Sequence, residues 1–154
     1  MNNIIAIDPG VHTGIAFFEN SILQKALTLG MPAAKKDGLE LKNAITYLCV
    51  EIARSGVKHA YIENPSIYDR KRWKGNPNDL IKVANVAGMC FAACSLYCQA
   101  HFVKPTEWKG QTEKAIDNKR TLQLLSDAEH SIAKGQSDHV LDAIGIGLWA
   151  LKRK

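Results

Sequence analysis

Two acidic residues end short apolar runs of this chain. Asp8 follows the run 3–7 and Glu63 ends the run 57–63, and a Pro lies within two residues of each acid. A short apolar run that stops at Pro or Gly is typical of a strand buried on both faces. If the two strands are parallel neighbours, both carboxylates lie at the carboxyl edge of the sheet, where ligands bind in open α/β sheets. Because like charges repel there, the pair favours a bound divalent cation such as Mg²⁺, which prefers carboxylate oxygens.

A second group of polar residues begins the last apolar segment of the chain. Asp138 and Asp142 are four residues apart and His139 and Asp142 are three apart, so a helix would place them toward one face. The helix dipole alone explains an acid in the first turn, such as Asp138. Asp142 lies one turn further into a segment that is otherwise apolar, where a carboxylate without partners is costly. We therefore interpret Asp142 as a functional residue.

The apolar pattern predicts an α/β fold with the element order β-β-β-α-β-α-β-α-α. Short polar breaks between the first three strands predict an antiparallel meander, and helical crossovers make the later strands parallel. Thr112 and Ser137 are candidate N-caps of the last two helices. The predicted strands are 3–7, 14–19, 22–29, 57–63 and 100–103, and the predicted helices are about 41–55, 78–98, 112–126 and 137–151. These elements form a mixed five-stranded sheet flanked by helices.

Size and composition limit the classes of protein to consider. A chain of 154 residues suits one domain, 1–154, and the net charge of +5 favours an anionic partner such as nucleic acid. No apolar run reaches the roughly 18–20 residues of a membrane span, and the first residues do not resemble a signal peptide. Cys90, Cys94 and Cys98 recur every four residues without the usual zinc-site spacing, so we interpret them as buried structural thiols. A reducing, cytoplasmic location fits them.

Three motifs, in order and with their spacing, cover nearly the whole chain. They are Ile-Asp-Pro-Gly at 7–10 with Gly-Ile-Ala at 14–16, Tyr-Ile-Glu at 61–63, and Asp-His-x-x-Asp-Ala at 138–143. Together they resemble the RuvC family of Holliday junction resolvases, and the small size resembles the phage-type members. The resemblance implies an RNase H-like fold and a homodimer that nicks four-way DNA junctions symmetrically. It also implies two Mg²⁺ ions per active site, with Mn²⁺ as a substitute, and a cytoplasmic location, which is the host cytoplasm for a phage protein.

The resemblance also assigns metal ligands to this sequence. It implies that Asp8, Glu63 and Asp142 are catalytic acids that bind metal. The family position three residues before Asp142 is often Asp and is His139 here, whereas Asp138 lies one residue earlier. Both remain candidates for the fourth ligand, and either could assist proton transfer to or from the attacking water.

Basic residues are the candidates for contacts with DNA. The segment 103–110 resembles the family segment that brings a lysine to the scissile phosphate, which implies a catalytic role for Lys109, with Lys114 or Lys119 as a second phosphate-binding lysine. A basic segment with interleaved aromatics follows Glu63; in it, cations could bind phosphates while an aromatic ring stacks on an unpaired base. We refer to it as the basic loop, with the candidate residues Tyr68, Arg70, Lys71, Arg72, Trp73 and Lys74. The apolar helix at 80–98 is a candidate dimer interface.

Other functions share some of these features. The segment 8–14 also resembles the first phosphate loop of actin-type ATPases and sugar kinases, but their two lobes need a longer chain. A non-catalytic junction-binding protein would share the basic surface, although it gains nothing from three acids at the same place. A related nuclease that acts on RNA–DNA hybrids or flaps would share the acids as well.

The basic loop gives a prediction that rests on the sequence alone. Replacing the basic residues Arg70, Lys71, Arg72 and Lys74 by Gln should weaken DNA binding. Each phosphate contact that is removed lowers the number of counterions released from the DNA when the protein binds. The slope of log Kd against log salt concentration should fall by about one unit per lost contact. Filter-binding titrations at several salt concentrations measure this slope, and an unchanged slope would exclude the loop from the DNA interface.

Overall fold

The computed structural model describes residues 3–31, 38–66, 75–110 and 114–153, and it has the predicted mixed five-stranded sheet. The order of strands across the sheet is β3-β2-β1-β4-β5, so the first strand is central. β1 pairs antiparallel with β2 and parallel with β4, β2 pairs antiparallel with β3, and β4 pairs parallel with β5. The strands are β1 Ile4–Asp8, β2 His12–Glu19, β3 Ile22–Gly30, β4 His59–Glu63 and β5 Gln99–Val103.

Six helices lie in the described part of the chain, two more than the sequence pattern predicted. The predicted helix 112–126 is observed over Lys114–Gln123. A further helix, which the sequence pattern did not predict, begins after Ser126 because Ser126 and Glu129 form a reciprocal capping box. Ser137 is confirmed as an N-cap, since its side chain accepts from the backbone N–H of Val140, whereas Thr112 lies outside the described residues. The helices are α1 Gly38–Ser55, α2 Pro77–Ser95, α3 Pro105–Trp108, α4 Lys114–Gln123, α5 Asp127–Ala133 and α6 Asp138–Ala150.

The sheet separates two apolar layers. Ile5 and Ile7 of β1 point into the layer formed with α1 and α2, where Cys90 and Cys94 are fully buried free thiols, as the structural interpretation of the cysteines requires. Ile4 points into the opposite layer, which is formed with α4, α5 and α6. Because alternate side chains of β1 point to the same face, Ala6 and Asp8 point toward α6 as Ile4 does.

Within the described ranges, every helix falls short of what a bilayer crossing demands.

Gly14 of β2 lets the first turn of α6 lie directly on the sheet. A Cβ atom at this position would lie 1.9 Å from the carbonyl oxygen of His139 and 2.7 Å from the backbone nitrogen of Val140. No side chain fits that space, and the obstructing atoms are backbone, which cannot rotate away. This contact sets the height at which the polar residues of α6 lie above the sheet edge.

A buried ion pair fastens the end of the chain to the α4–α6 layer. Glu129 of α5 is buried and pairs with Arg153, and its carboxylate also accepts from the backbone N–H groups of Leu23 and Ser126. Arg153 donates in turn to the carbonyl oxygens of Ser21 and Leu124. The Arg153 guanidinium is the main reason that the pKa of Glu129 falls to about 2 from its usual 4.5.

Glu129→Gln should destabilise the protein at pH 7 by about 3 kcal/mol, because the lowered pKa of Glu129 makes ionisation favour the folded state. This contribution is present above about pH 4.5 and is lost as the pH falls toward about 2, so the two proteins should converge in acid. Urea unfolding from pH 7 to pH 3 measures the difference. As a control, Asp79→Asn removes the exposed ion pair with Lys82 and should change stability by less than about 1 kcal/mol. A constant difference between wild type and Glu129→Gln across this range would contradict the assignment.

Gly14→Ala should destabilise the protein by about 2–3 kcal/mol, because the added methyl group forces β2 and α6 apart. The matched control is Gly30→Ala in β3, where a Cβ atom would meet nothing within 4 Å. Thermal unfolding of both variants measures the two effects. Equal stabilities of the two variants would mean that the close approach of α6 does not constrain position 14.

Candidate active site

The ends of β1 and β4 bring Asp8 and Glu63 side by side. The parallel register pairs Ile7 with Ile62, so the next residue of each strand is Asp8 and Glu63. Neighbouring strands are about 4.8 Å apart, and paired residues of parallel strands point to the same face. That face is the one covered by α6. Asp8 is buried and Glu63 is half-buried, so neither carboxylate is fully hydrated.

The first two turns of α6 supply the polar residues above this edge. The imidazole Nδ1 of His139 lies 2.7 Å from Oδ2 of Asp8 and donates to it. Asp142, one turn further along α6, is buried like Asp8. Asp138 lies at the rim with its side chain 61% exposed, where its carboxylate accepts from Asn118. Of the two candidates for a fourth ligand, His139 is the one in direct contact with another site acid.

Lys109 links the acids of the sheet to the acid of the helix. Its Nζ lies 3.6 Å from Oε2 of Glu63 and 3.9 Å from Oδ2 of Asp142. Lys114 approaches from α4, with its Nζ 3.8 Å from Oδ2 of Asp142 and 3.4 Å from Oδ2 of Asp138. The two ammonium groups therefore compensate the charge of acids from two separate elements, β4 and α6.

Trp108 is a member of this cluster that sequence reasoning missed. Its indole N–H donates to Oε2 of Glu63 at 2.7 Å, and the Lys109 ammonium lies 4.6 Å from the centre of its ring. Gly145 of α6 makes room for the indole, because a Cβ atom there would lie 2.7 Å from the ring. Two features of the sequence could have indicated the role of Trp108: it directly precedes Lys109, and Gly145 lies one helical turn after Asp142.

Asp117 of α4 is a second residue that the sequence did not single out. It is buried, and its Oδ2 has no hydrogen-bond partner among the described residues. Burial raises the pKa of Asp117, while the positive charges of Lys109 and Arg120 lower it. In the sequence, Asp117 is one of several polar residues in an amphipathic helix, so its spacing did not indicate that it is buried.

Burial and mutual repulsion act on the protonation of the site acids. Burial is the largest cause that raises the pKa of Glu63 and of Asp142; Lys109 lowers both values, and Asp8 raises both. The hydrogen bond to Asp8 raises the pKa of His139. Glu63 thus feels the charge of both other acids and Asp142 feels that of Asp8, and added positive charge stabilises the ionised forms of Glu63 and Asp142.

A divalent cation suits this set of donors chemically. Three carboxylates supply the hard oxygen ligands that Mg²⁺ and Mn²⁺ prefer, and their repulsion is relieved by a cation. As the side chains stand, no three acidic, His or Cys residues within the described ranges are arranged to hold a metal ion. Instead, the Lys109 ammonium lies within 4 Å of both Glu63 and Asp142.

The described residues do not connect the remaining predicted basic residues to this cluster. Lys119 is exposed on α4, and no contact to the site acids involves it in the part of the chain that is described. The whole basic loop lies outside the described residues; its members are Tyr68, Arg70, Lys71, Arg72, Trp73 and Lys74. Lys109 and Lys114 are therefore the predicted basic residues that the fold brings to the acids.

Comparison with solved structures finds the same architecture in known proteins, although no family model and no curated protein matches the chain. RuvC of Thermus thermophilus in complex with Holliday junction substrate has a TM-score of 0.73 at 14% identity, covering 97% of this chain and 92% of that one. A second Thermus thermophilus RuvC structure has a TM-score of 0.66 at 13% identity, with coverages of 96% and 92%. The yeast mitochondrial Holliday junction resolvase Ydc2 has a TM-score of 0.53 at 12% identity, with coverages of 97% and 80%. The chain has the RuvC-like form of the RNase H-like fold, as its three motifs predicted.

Proposed function

We propose that this protein is a metal-dependent endonuclease that resolves four-way DNA junctions by paired, symmetric nicks. The observation that carries the proposal is the cluster of Asp8, Glu63 and Asp142 with two lysines at the carboxyl edge of a RuvC-like sheet. One neighbour in fold is a RuvC bound to Holliday junction substrate. That likeness, together with the net charge of +5, supports branched DNA as the substrate.

The acids and lysines suit hydrolysis of a phosphodiester. Bound Mg²⁺ or Mn²⁺ supplies an activated water and neutralises charge on the phosphate and the leaving oxygen. In our proposal, Asp8, Glu63 and Asp142 hold two ions, and the hydrogen bond to Asp8 favours His139 over Asp138 as the fourth ligand. Trp108 orients the Glu63 carboxylate through its indole N–H.

The lysines complete the proposed mechanism on the side of the substrate. The Nζ atoms of Lys109 and Lys114 approach the same carboxylate oxygen of Asp142 from two elements, at 3.9 and 3.8 Å. A phosphate that binds at the acids therefore meets two ammonium donors, which stabilise the charge that develops in the transition state. Lys119 has no role in this mechanism.

A two-fold junction needs two nicks, and a homodimer supplies two active sites. We propose the exposed side of α2 as the dimer surface. Ile81 of this helix is 58% exposed, whereas Val86 and Cys90 are buried in the core, so the helix has an apolar residue on its outer side.

Cleavage assays with matched substrates test the proposed reaction. The protein should nick a labelled four-way junction at symmetric positions with Mg²⁺, and EDTA should abolish the nicks. Linear duplex should remain intact. Preferential cleavage of an RNA–DNA hybrid or a flap would replace the proposed substrate, and ATP hydrolysis without any cleavage would favour the kinase-like alternative.

Asp142→Asn should lower the cleavage rate by at least about 100-fold, because the amide cannot supply the ligand charge. Junction binding in EDTA should change by less than about threefold, since the lysines remain. Single-turnover cleavage and gel-shift titrations measure the two quantities. The matched control is Asp79→Asn on the exposed surface of α2, which should cleave at the wild-type rate. Wild-type cleavage by Asp142→Asn would contradict the assigned role.

A further inference from the structure

Four aromatic and histidine side chains form a cluster on the face of the sheet that carries Glu63. They are His59 and Tyr61 of β4, His101 of β5 and Trp149 of α6, and we call them the aromatic platform. Tyr61 stacks on His101 with ring centres 5.1 Å apart and planes 19° apart, and His101 stacks on His59 at 5.6 Å and 28°. Trp149 meets Tyr61 edge-on at 6.4 Å.

The platform is accessible from solvent. Along β4 the buried residues Ala60 and Ile62 point into the core with α1 and α2, whereas His59 and Tyr61 on the other face are half-buried. α6 lies mainly over β1 and β2, and its Trp149 remains 38% exposed. The exposed part of the Trp149 ring and the edges of the stacked rings are thus left open between α6 and the β5 edge.

The two histidines make this surface polar as well as aromatic. Nδ1 of His59 and Nε2 of His101 are 3.3 Å apart and share one hydrogen bond. In a neutral pair one ring donates that proton, so the two outer nitrogens are one donor and one acceptor in either tautomer. The platform therefore offers stacking and a complementary pair of hydrogen-bonding groups, which is the combination that reads an unpaired base.

The position of the platform connects it to the candidate active site. His59, Tyr61 and Glu63 alternate along β4, so they share one face, and a strand rises about 3.3 Å per residue. The Cα of His59 is therefore about 13 Å from that of Glu63, within reach of a nucleotide adjacent to a phosphate held at the acids. The platform and Glu63 therefore share one face of β4.

We propose that the aromatic platform binds an unpaired DNA base next to the phosphate that is cleaved. The base stacks on the exposed ring of Trp149 and hydrogen-bonds to an outer nitrogen of the histidine pair. The inference rests on the proposed function only in taking DNA as the substrate. It assigns the selection of unpaired DNA to residues other than those of the basic loop.

Tyr61→Leu tests the platform, because it removes the central ring and keeps an apolar side chain. The Kd for a short single-stranded oligothymidylate, measured in EDTA by fluorescence anisotropy, should rise about tenfold, the effect of losing one stacked base. The matched control is Tyr97→Leu beyond the end of α2, where the ring is 50% exposed and lies off the platform; its Kd should equal that of wild type. The cleavage rate of Tyr97→Leu at saturating junction should stay within about twofold of wild type.

Tryptophan fluorescence of the wild-type protein provides a second test, which does not depend on whether Tyr61→Leu folds. Trp149→Phe defines the contribution of Trp149 to the tryptophan emission, and that contribution should be quenched when wild type binds the oligothymidylate. An equal Kd for Tyr61→Leu and wild type, or an unquenched Trp149, would overturn the proposal. Weaker self-association of Tyr61→Leu with unchanged DNA affinity would also overturn it, because the face would then join two copies of the chain. Binding of oligothymidylate that depends on Tyr61, without any junction cleavage, would sustain the platform and refute only the proposed function.

Discussion

Repulsion among Asp8, Glu63 and Asp142 is the constraint around which the α6 side of this sheet is organised. Burial and neighbouring negative charge both raise the pKa of Glu63 and of Asp142, and nearby positive charge lowers it. Lys109, at the end of α3, lies near both acids, and Lys114 of α4 lies near Asp142. A structural core has no use for three such acids, since apolar residues would pack there at lower cost. The free-energy cost of burying these acids is therefore consistent with a role in binding a ligand.

Backbone geometry, more than side-chain packing, holds the acids together. Asp8 and Glu63 are neighbours because β1 and β4 are parallel and in register. Asp142 joins them because Gly14 lets α6 approach β2 until backbone meets backbone. Gly145 does the same for the indole that holds Glu63. Glycines at both contacts mean that the site is positioned by two close approaches that any side chain would disrupt.

The sequence predicted the sheet and most of the acidic cluster because those signals are local. Strand ends mark Asp8 and Glu63, and helical spacing marks Asp142 together with His139. The short helix α5 was missed, although the sequence contains the Ser126–Glu129 capping box that begins it. The partners of Glu129 and the aromatic platform could not be predicted in the same way. They depend on which strands and helices meet in space, as His59 and His101 do across β4 and β5.

The central claim is that three acids distant in sequence together bind divalent cations, and anomalous diffraction from crystals soaked in Mn²⁺ tests it most directly. The account predicts an anomalous peak about 2 Å from carboxylate oxygens of Asp8, Glu63 and Asp142, with the Lys109 ammonium displaced from between the last two. Peaks only elsewhere on the protein, with Lys109 still seated between Glu63 and Asp142, would contradict it.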